Sequence, residues 1–157
     1  IDAARGAGRK VAFTLSDGFV IDRHRDDFLA LIEGGQIDIL FSNEGEICAL
    51  AQTEDFEAAL ARFAPKVPLL ISTRSEKGAV AIQGGARFSC AARAVEHVID
   101  TTGAGDLFAA GFLAGYVEKL PVEACLKLGA AAAAEIISHY GARPEADLAA
   151  LRRELGL

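Results

Sequence analysis

The alternation of short apolar segments with segments of helical periodicity is the strongest constraint on the fold of this chain. Runs of aliphatic residues bounded by polar turns predict strands at 10–16, 37–42 and 67–73. Apolar residues at helical spacing predict helices at 22–35, 43–52 and 54–64. Strands that alternate with helices build βαβ units, whose parallel sheet is covered by helices. The sequence therefore predicts an α/β fold with a mostly parallel sheet flanked by helices.

The second half of the chain changes this pattern without showing a linker. Two short strand-like runs, 79–83 and 86–92, surround Gly84 and Gly85 and predict a hairpin. Two further helices are expected at 121–140 and 144–155. Because no boundary is visible, we expect one structural domain over residues 1–157 with three or four parallel strands, fewer than an open α/β sheet normally has.

Charge and composition exclude several classes of partner. The formal net charge is −6 and no basic stripe is present, so the sequence predicts no nucleic-acid partner. No apolar run reaches the length of a membrane-spanning helix, which predicts no membrane contact. The three cysteines are widely separated and form no CxxC pair, so we expect free thiols in a reducing cytoplasm and no zinc or redox site.

The stretch 99-IDTTGAGDLFAAGFLAGY-116 combines two glycines, an acidic residue and a long apolar run. The apolar run predicts a helix, and the first turn of a helix presents unpaired backbone N–H groups and a partial positive charge. Gly103, Ala104 and Gly105 have little or no side chain, so an anion can approach those N–H groups closely. Asp106 follows in or beside the same turn.

Two interpretations of Asp106 are open from the residues alone. As a capping residue it stabilises the helix by roughly 0.5–1 kcal/mol. A cap, however, does not need a glycine on each side of Ala104. A carboxylate beside a cluster of N–H groups suits phosphoryl transfer to a hydroxyl, because the carboxylate takes the proton while the N–H groups stabilise the transferred charge.

The run 100-DTTGAGDLFAAGFLAG-115 resembles the C-terminal signature of the ribokinase-like (PfkB) family of sugar and nucleoside kinases. Three other stretches are similar to motifs of this family and follow in its order: the strand with Asn-x-x-Glu at 37–46, the nucleotide-binding strand and hairpin at 72–82, and the helix and Gly-Ala turn at 129–144. Residues 12–28 resemble the adenosine-kinase-like branch. The resemblance extends over nearly the whole chain.

The resemblance implies that residues 1–157 are the C-terminal, nucleotide-binding part of a single kinase domain. The N-terminal half of family members carries the first strands, the lid and most sugar-contacting residues, and nothing in this sequence corresponds to it. We therefore expect this part alone to be inactive. A homodimer formed through the lid of the complete protein is also implied.

The resemblance implies roles in catalysis for two groups of residues. Asp106 is expected to be the catalytic base that deprotonates the acceptor hydroxyl, with Gly103, Ala104 and Gly105 as the anion hole around the transferred phosphate. Asn43 and Glu46 are expected to order Mg²⁺, its waters and the phosphate oxygens. From the residues alone, Asn43 and Glu46 fit a capping box equally well.

The resemblance also implies contacts with the nucleotide and with a cation. Thr73, Ser75 and Gly78 resemble the loop that holds phosphates and ribose, although such residues also suit an ordinary turn. Gly141 and Ala142 are expected near the adenine.

A monovalent cation such as K⁺ is expected, in some members of the family, at positions that correspond to Asp100 and Thr102. The backbone carbonyl groups near Ile136, His139 and Gly141 would complete that site. The alternative is that Asp100 only caps a turn.

The expected function is an ATP- and Mg²⁺-dependent phosphotransferase acting on a hydroxymethyl group of a sugar or nucleoside, with adenosine favoured. A kinase for another small alcohol, such as a vitamin precursor, and a non-catalytic nucleotide-binding module are the alternatives. A dinucleotide-binding dehydrogenase and a P-loop enzyme are excluded, because the chain contains neither GxGxxG with a following acidic residue nor GxxxxGK[ST].

Overall fold

The structure is a computed structural model that describes residues 1–157. The chain forms two compact units. The first comprises Ile1–Thr73 and Ala81–Arg87, and the second comprises Arg74–Val80 and Phe88–Leu157.

The first unit alternates helices and strands as the sequence predicts. In chain order its elements are α1 (Asp2–Gly6), β1 (Ala12–Thr14), α2 (Gly18–Glu33), β2 (Ile39–Asn43), α3 (Glu44–Ala51), α4 (Phe56–Phe63) and β3 (Leu69–Thr73). The pairs β1–β2 and β2–β3 are both parallel. Their register places the last residue of β2, Asn43, opposite the last residue of β3, Thr73.

The remaining elements confirm the predicted hairpin, and they contain the two predicted helices with shorter bounds, because residues 137–147, expected to be largely helical, form a loop. They are a short 3₁₀ helix (Ser75–Lys77), β4 (Ala79–Gln83), β5 (Ala86–Cys90), α5 (Ala104–Val117), α6 (Val122–Ile136) and α7 (Leu148–Glu154). The five strands form one sheet in the order β1-β2-β3-β4-β5. The predicted fold class, a mostly parallel sheet flanked by helices, is therefore confirmed.

The centre of the first unit lies along β2 and β3, which are buried over four of their five residues. Leu40, Leu70 and Ile71 are fully buried; burial of such a side chain contributes roughly 1.5–3 kcal/mol. The two buried hydroxyls are satisfied, since Ser42 donates to the Ile71 carbonyl at 3.3 Å and lies 3.2 Å from the Ser72 hydroxyl. A rigid pair of central strands thus carries Asn43 and Thr73 at its carboxyl end.

Strand β1 is shorter and more exposed than the buried strand predicted over 10–16. Only Ala12–Thr14 form the strand, and Ala12 and Thr14 are exposed. The apolar residues that produced the prediction, Val11 and Leu15, are buried but lie just outside the paired residues. The strand is short because Ser16 has φ +67°, a left-handed conformation that ends the extended backbone after Leu15, whose N–H still donates to the Phe41 carbonyl at 3.0 Å.

Helix α2 begins four residues earlier than predicted. The Asp17 carboxylate accepts a hydrogen bond from the Phe19 N–H at 2.7 Å, which makes Asp17 the N-cap of α2 and not part of a separate turn. A single acidic cap therefore extends the helix over residues that the sequence alone indicates as loop.

The packing of α5 against α6 explains the apolar composition of residues 104–117. Phe108 and Phe112 are buried. A Cβ atom on Gly111 would lie 2.7 Å from the Leu128 carbonyl oxygen, and one on Gly129 would lie 2.8 Å from that of Phe108. The two helices are therefore in backbone contact, which larger residues would prevent. Although α5 is apolar, no helix of the chain is both long enough and apolar enough to cross a membrane.

Candidate active site

A sharp turn in the backbone precedes α5 and positions the Gly-Ala-Gly-Asp run. Gly103 is the N-cap of α5 and has φ +79°, a left-handed conformation that side-chain-bearing residues rarely adopt. Helix α5 begins at Ala104, so Asp106 is its third residue. The glycine at 103 is required by the backbone itself.

The first turn of α5 has free hydrogen-bond donors. The Ala104 N–H donates to the Thr101 carbonyl at 3.1 Å, whereas the N–H groups of Gly105 and Asp106 have no backbone acceptor. Gly105 is exposed, and a Cβ atom built on it would meet no atom within 4 Å. The space next to these donors is therefore open, and no contact in this structure explains a glycine at 105. Free amides at a helix start facing open space suit an anion.

The Asp106 side chain is exposed and makes no hydrogen bond or ion pair. The N-cap position belongs to Gly103, so the carboxylate does not cap the helix through a hydrogen bond. It still benefits from the partial positive charge of the first turn. A carboxylate with free lone pairs beside unpaired N–H groups is able to accept a proton from a group that approaches them.

A second loop meets the start of α5. The Asp100 carboxylate accepts hydrogen bonds from the Thr102 N–H at 2.9 Å and from the Gly141 N–H at 3.1 Å. A Cβ atom on Gly103 would lie 3.1 Å from that of Ala142. The structure thus brings five of the predicted site residues together within the second unit: Asp100, Thr102, Gly103, Gly141 and Ala142.

The Asp100 carboxylate has the hydrogen bonds of a turn-capping residue. Those from the Thr102 side chain and backbone, followed by that from the Gly141 N–H, hold the pKa of this carboxyl below its usual range. No group of three or more His, Cys, Asp or Glu side chains is arranged to hold a metal ion. The capping alternative accounts for Asp100 as it stands, and the monovalent cation stays a prediction.

Asn43 and Glu46 form a complete capping box at the start of α3. Asn43 donates its backbone N–H to Glu46 Oε2 at 2.9 Å and its side-chain Nδ2 to Oε1 at 2.8 Å, while the Glu46 N–H donates to Asn43 Oδ1 at 2.7 Å. Glu46 is buried, and burial raises the pKa of its carboxyl despite the Asn43 backbone hydrogen bond; the charge of Asp17 adds to the rise. The pair presents oxygen atoms held in a fixed geometry beside the ends of β2 and β3.

Thr73, Ser75 and Gly78 have different environments. Thr73 ends β3, and Ser75 is exposed at the start of the 3₁₀ helix with φ +51°. Gly78 is buried with φ +86°, and a Cβ atom on it would lie 2.0 Å from the Cys90 carbonyl oxygen. The left-handed φ and the close Cys90 carbonyl together account for glycine at 78 without a ligand, and the contacts of Thr73 and Ser75 with a nucleotide stay a prediction.

Glu135 and His139 are residues that sequence reasoning missed as side chains. Glu135 Oε1 accepts hydrogen bonds from the Glu145 and Ala146 N–H groups at 2.7 and 2.8 Å and lies 3.2 Å from His139 Nε2. Burial opposes ionisation of Glu135, but these donors outweigh it and hold its pKa below the usual range. A signal was present in the sequence: Glu135 directly follows a run of five alanines, and His139 lies four residues later, at the spacing that brings two side chains together on a helix.

The three thiols fit no nucleophilic role. Cys48, Cys90 and Cys125 are all free, and burial raises the pKa of each thiol. Because the thiolate is the reactive form, a raised pKa lowers reactivity. The three cysteines are free thiols, as the sequence predicts.

These groups fit a nucleotide with Mg²⁺. Mg²⁺ prefers oxygen ligands and keeps several of its waters, so a carboxylate and an amide oxygen such as those of Glu46 and Asn43 can hold it indirectly. The open space beside the free Gly105 and Asp106 N–H groups fits a phosphate. The oxygen ligands thus suit Mg²⁺, and the open space beside the free N–H groups suits a phosphate of the nucleotide.

Comparison with known proteins assigns the family. Residues 1–148 match the family described as pfkB family carbohydrate kinase. The cytidine kinase of Thermococcus kodakarensis is 37% identical over 108 residues, which cover 68% of this chain and 39% of that protein.

Two solved structures extend the similarity to the fold. The adenosine kinase from Sinorhizobium meliloti superposes with a TM-score of 0.94 at 45% identity, covering 97% of this chain and 46% of that one. Arabidopsis thaliana ribokinase, solved in complex with ribose and ATP, superposes with a TM-score of 0.72 at 29% identity, covering 90% and 45%. The chain thus spans less than half the length of these three relatives.

Proposed function

The chain belongs to the PfkB family of carbohydrate kinases, and from this premise we propose that it is the nucleotide-binding part of an ATP-dependent kinase for a hydroxymethyl group of a sugar or nucleoside. The observation that carries the proposal is the start of α5. There, free N–H groups, open space and an unpartnered carboxylate lie within two consecutive residues, Gly105 and Asp106. Free N–H groups occur at the start of any helix, but a helix start needs neither the open space that Gly105 leaves nor an acidic side chain without a hydrogen bond.

Asp106 acts as the general base in this proposal. Its carboxylate takes the proton of the acceptor hydroxyl, which makes the oxygen a better nucleophile toward the phosphoryl group. The backbone N–H groups of Gly103, Ala104 and Gly105 form the anion hole, for which the Ala104 N–H exchanges its hydrogen bond to the Thr101 carbonyl for one to the phosphate. Gly105 keeps the approach to these donors open. Left-handed Gly103 sets the direction in which the first turn points.

Asn43 and Glu46 hold Mg²⁺ through its waters. Bound Mg²⁺–ATP supplies the phosphoryl group and neutralises part of its charge. The capping box is compatible with this role, because each carboxylate oxygen has a second lone pair beyond the one that accepts from Asn43. The box fixes the orientation of the carboxylate before any ligand arrives.

The nucleotide and the cation complete the assignment. Thr73 and Ser75 contact the phosphates and ribose, with Gly78 shaping their turn, and Gly141 and Ala142 lie beside the adenine. Asp100 and Thr102 contribute oxygen ligands to a monovalent cation such as K⁺.

Adenosine is the acceptor we propose. The support is the similarity to an adenosine kinase over almost all of this chain, set against a lower identity to a cytidine kinase. The complete protein is proposed to dimerise through a lid that lies outside residues 1–157, and to act in the cytoplasm.

A panel of acceptors tests the function. We expect the complete protein to transfer phosphate from ATP to adenosine faster than to cytidine or ribose, measured by formation of the phosphorylated product. Residues 1–157 alone should bind Mg²⁺–ATP weakly and phosphorylate none of the three. Transfer to any of them by residues 1–157 alone would show that the acceptor site is already complete in this chain, and ATP hydrolysis without an acceptor product would refute the kinase assignment.

Replacing Glu46 by Gln should raise the Mg²⁺ concentration that gives half-maximal activity by about tenfold, since outer-shell ligands contribute on that order to metal affinity. The KM for the acceptor should change little. The measurement is a Mg²⁺ titration of initial rate at saturating ATP. The matched control is Glu44→Gln, which removes the other acidic residue in the first turn of α3. If both variants raise the required Mg²⁺ concentration equally, Glu46 is only a capping residue.

A further inference from the structure

The loop between α6 and α7, residues 137–147, has little backbone structure of its own. From residue 139 to residue 146, no backbone N–H donates to a backbone carbonyl. Three of these N–H groups instead donate to carboxylates: that of Gly141 to Asp100, and those of Glu145 and Ala146 to Glu135. Two side chains outside the loop, those of Asp100 and Glu135, therefore accept the hydrogen bonds that hold the backbone of residues 139–146.

Glu135 is an unusual residue for its position. It follows a run of five consecutive alanines near the end of α6, and its side chain is 8% exposed. Its Oε1 atom has three polar neighbours, whereas Oε2 is buried without a hydrogen-bond partner. A buried carboxylate oxygen without a partner opposes folding. The presence of Glu at 135 is better explained by what Oε1 holds than by the stability of α6.

The loop that Glu135 holds reaches the start of α5. Ala142 lies in its middle, close enough to Gly103 that a Cβ atom there would be 3.1 Å from its own. His139 links the two ends of the segment, because its Nε2 lies 3.2 Å from Glu135 Oε1 and its Nδ1 lies 3.8 Å from a carboxylate oxygen of Glu145. A shift at residues 145–146 would therefore be transmitted to the residues that pack on Gly103.

We propose that Glu135 is a positioning residue for the nucleotide: by fixing loop 137–147 it keeps Gly141 and Ala142 against the start of α5, where the free N–H groups receive the phosphates. This inference rests on the proposed kinase function. It predicts that loss of the Glu135 carboxylate weakens ATP binding while the chemical step and the acceptor are affected little, because Glu135 contacts neither the reacting atoms nor Asp106.

Steady-state kinetics of the complete protein test whether the loss of Glu135 affects ATP binding but not the chemical step. For Glu135→Ala we expect the KM for ATP to rise about tenfold or more, as expected when a supporting side chain that positions a site is lost. The kcat and the KM for the acceptor should stay within about threefold. Glu135→Gln, whose carbonyl oxygen still accepts from both N–H groups, should restore most of the ATP affinity. The control, Glu123→Ala, removes an exposed carboxylate from the first turn of the same helix and should change nothing.

Hydrogen exchange provides a readout that needs no activity. In Glu135→Ala, the amides of Glu145 and Ala146 should exchange at least about tenfold faster, and the amide of Gly141 should follow although its acceptor, Asp100, is intact. If wild type transfers no phosphate, the kinase function fails, whereas the exchange at Gly141 still reports whether Glu135 controls the loop.

Two results would overturn the inference: an unchanged KM for ATP in a folded Glu135→Ala protein, or an unchanged Gly141 amide when those of residues 145 and 146 are released. Should Glu135→Ala fail to fold, Glu135→Asp decides the question. It keeps the charge but shortens the side chain by one methylene, so it should raise the KM for ATP in the same direction and to a smaller extent. A KM equal to that of wild type in this variant would also refute the inference.

Discussion

Replacing Asp106 by Asn should lower the kcat of the complete protein by roughly 10²–10⁴-fold, the range of general-base contributions, while the protein stays folded. Asn has nearly the same shape as Asp, but it cannot take a proton at neutral pH. Because the Asp106 side chain makes no hydrogen bond or ion pair, its replacement breaks no contact within the chain. ATP binding should therefore persist, and turnover should be lost.

The stability of the same variant separates the two interpretations of Asp106. The remaining structural contribution is the attraction between the carboxylate and the first turn of α5, on the order of 0.3–1 kcal/mol. That corresponds to a fall in Tm of at most about 4 °C for a domain of ordinary size. A capping residue predicts this fall with normal turnover; a catalytic base predicts the same fall with turnover abolished.

Turnover and thermal unfolding should be measured on one preparation. Glu123→Gln is the matched control, since Glu123 is an exposed acidic residue in the first turn of α6 and has the same relation to the positive end of a helix. We expect it to show the small change in Tm and full activity. Intact turnover in folded Asp106→Asn would remove Asp106 from the catalytic mechanism.

The second large effect is expected from a single methyl group at residue 105. Gly105→Ala should lower kcat/KM for ATP by about 10²–10³-fold, comparable to the loss of one donor from an anion hole. The methyl group would fill the open space beside the free N–H groups, where the structure has no atom within 4 Å. The phosphate could then no longer approach them.

The stability of Gly105→Ala should change in the opposite direction from its activity. Gly in a helix is less favourable than Ala by roughly 0.5–1 kcal/mol, and neither φ nor a neighbouring atom opposes the substitution at 105. A more stable and far less active protein would show that Gly105 serves a ligand. Gly6→Ala is the control, because Gly6 lies in α1 and also has no atom within 4 Å of an added Cβ. If both variants keep full activity, no phosphate binds at the start of α5.

Most helices and strands were predictable because their signals are local. Apolar spacing predicted α3, α4 and both central strands, and the glycine pair at 84–85 predicted the hairpin. The errors have local causes as well. The predicted strand 10–16 contains two buried apolar residues, but the left-handed Ser16 ends the extended backbone and the strand comprises only Ala12–Thr14. The start of α2 was missed because the same Asp17 that favours a turn also caps a helix.

Among the site residues, some are explained by local spacing and others only by contacts in the folded chain. The capping box of Asn43 and Glu46 was readable from their spacing of three residues, and the structure contains it. The need for glycine at 78 was not readable, because it arises from the Cys90 carbonyl oxygen on a neighbouring strand. The sequence offered a ligand loop or an ordinary turn at this position, and the left-handed φ together with the contact explains the residue.

The sequence by itself determined the order of the strands and helices, the family, and the run of small residues with an acid at the start of α5. These depend on periodicity, capping and spacing, which act between near neighbours. Only the tertiary structure decided that the space beside the Gly105 N–H is open, that Ala142 packs against Gly103, and that Asp100 holds Gly141 from 41 residues away. The physical reason is that a hydrogen bond or a close contact depends on distance in space. Residues far apart in sequence become neighbours only when the whole chain has packed.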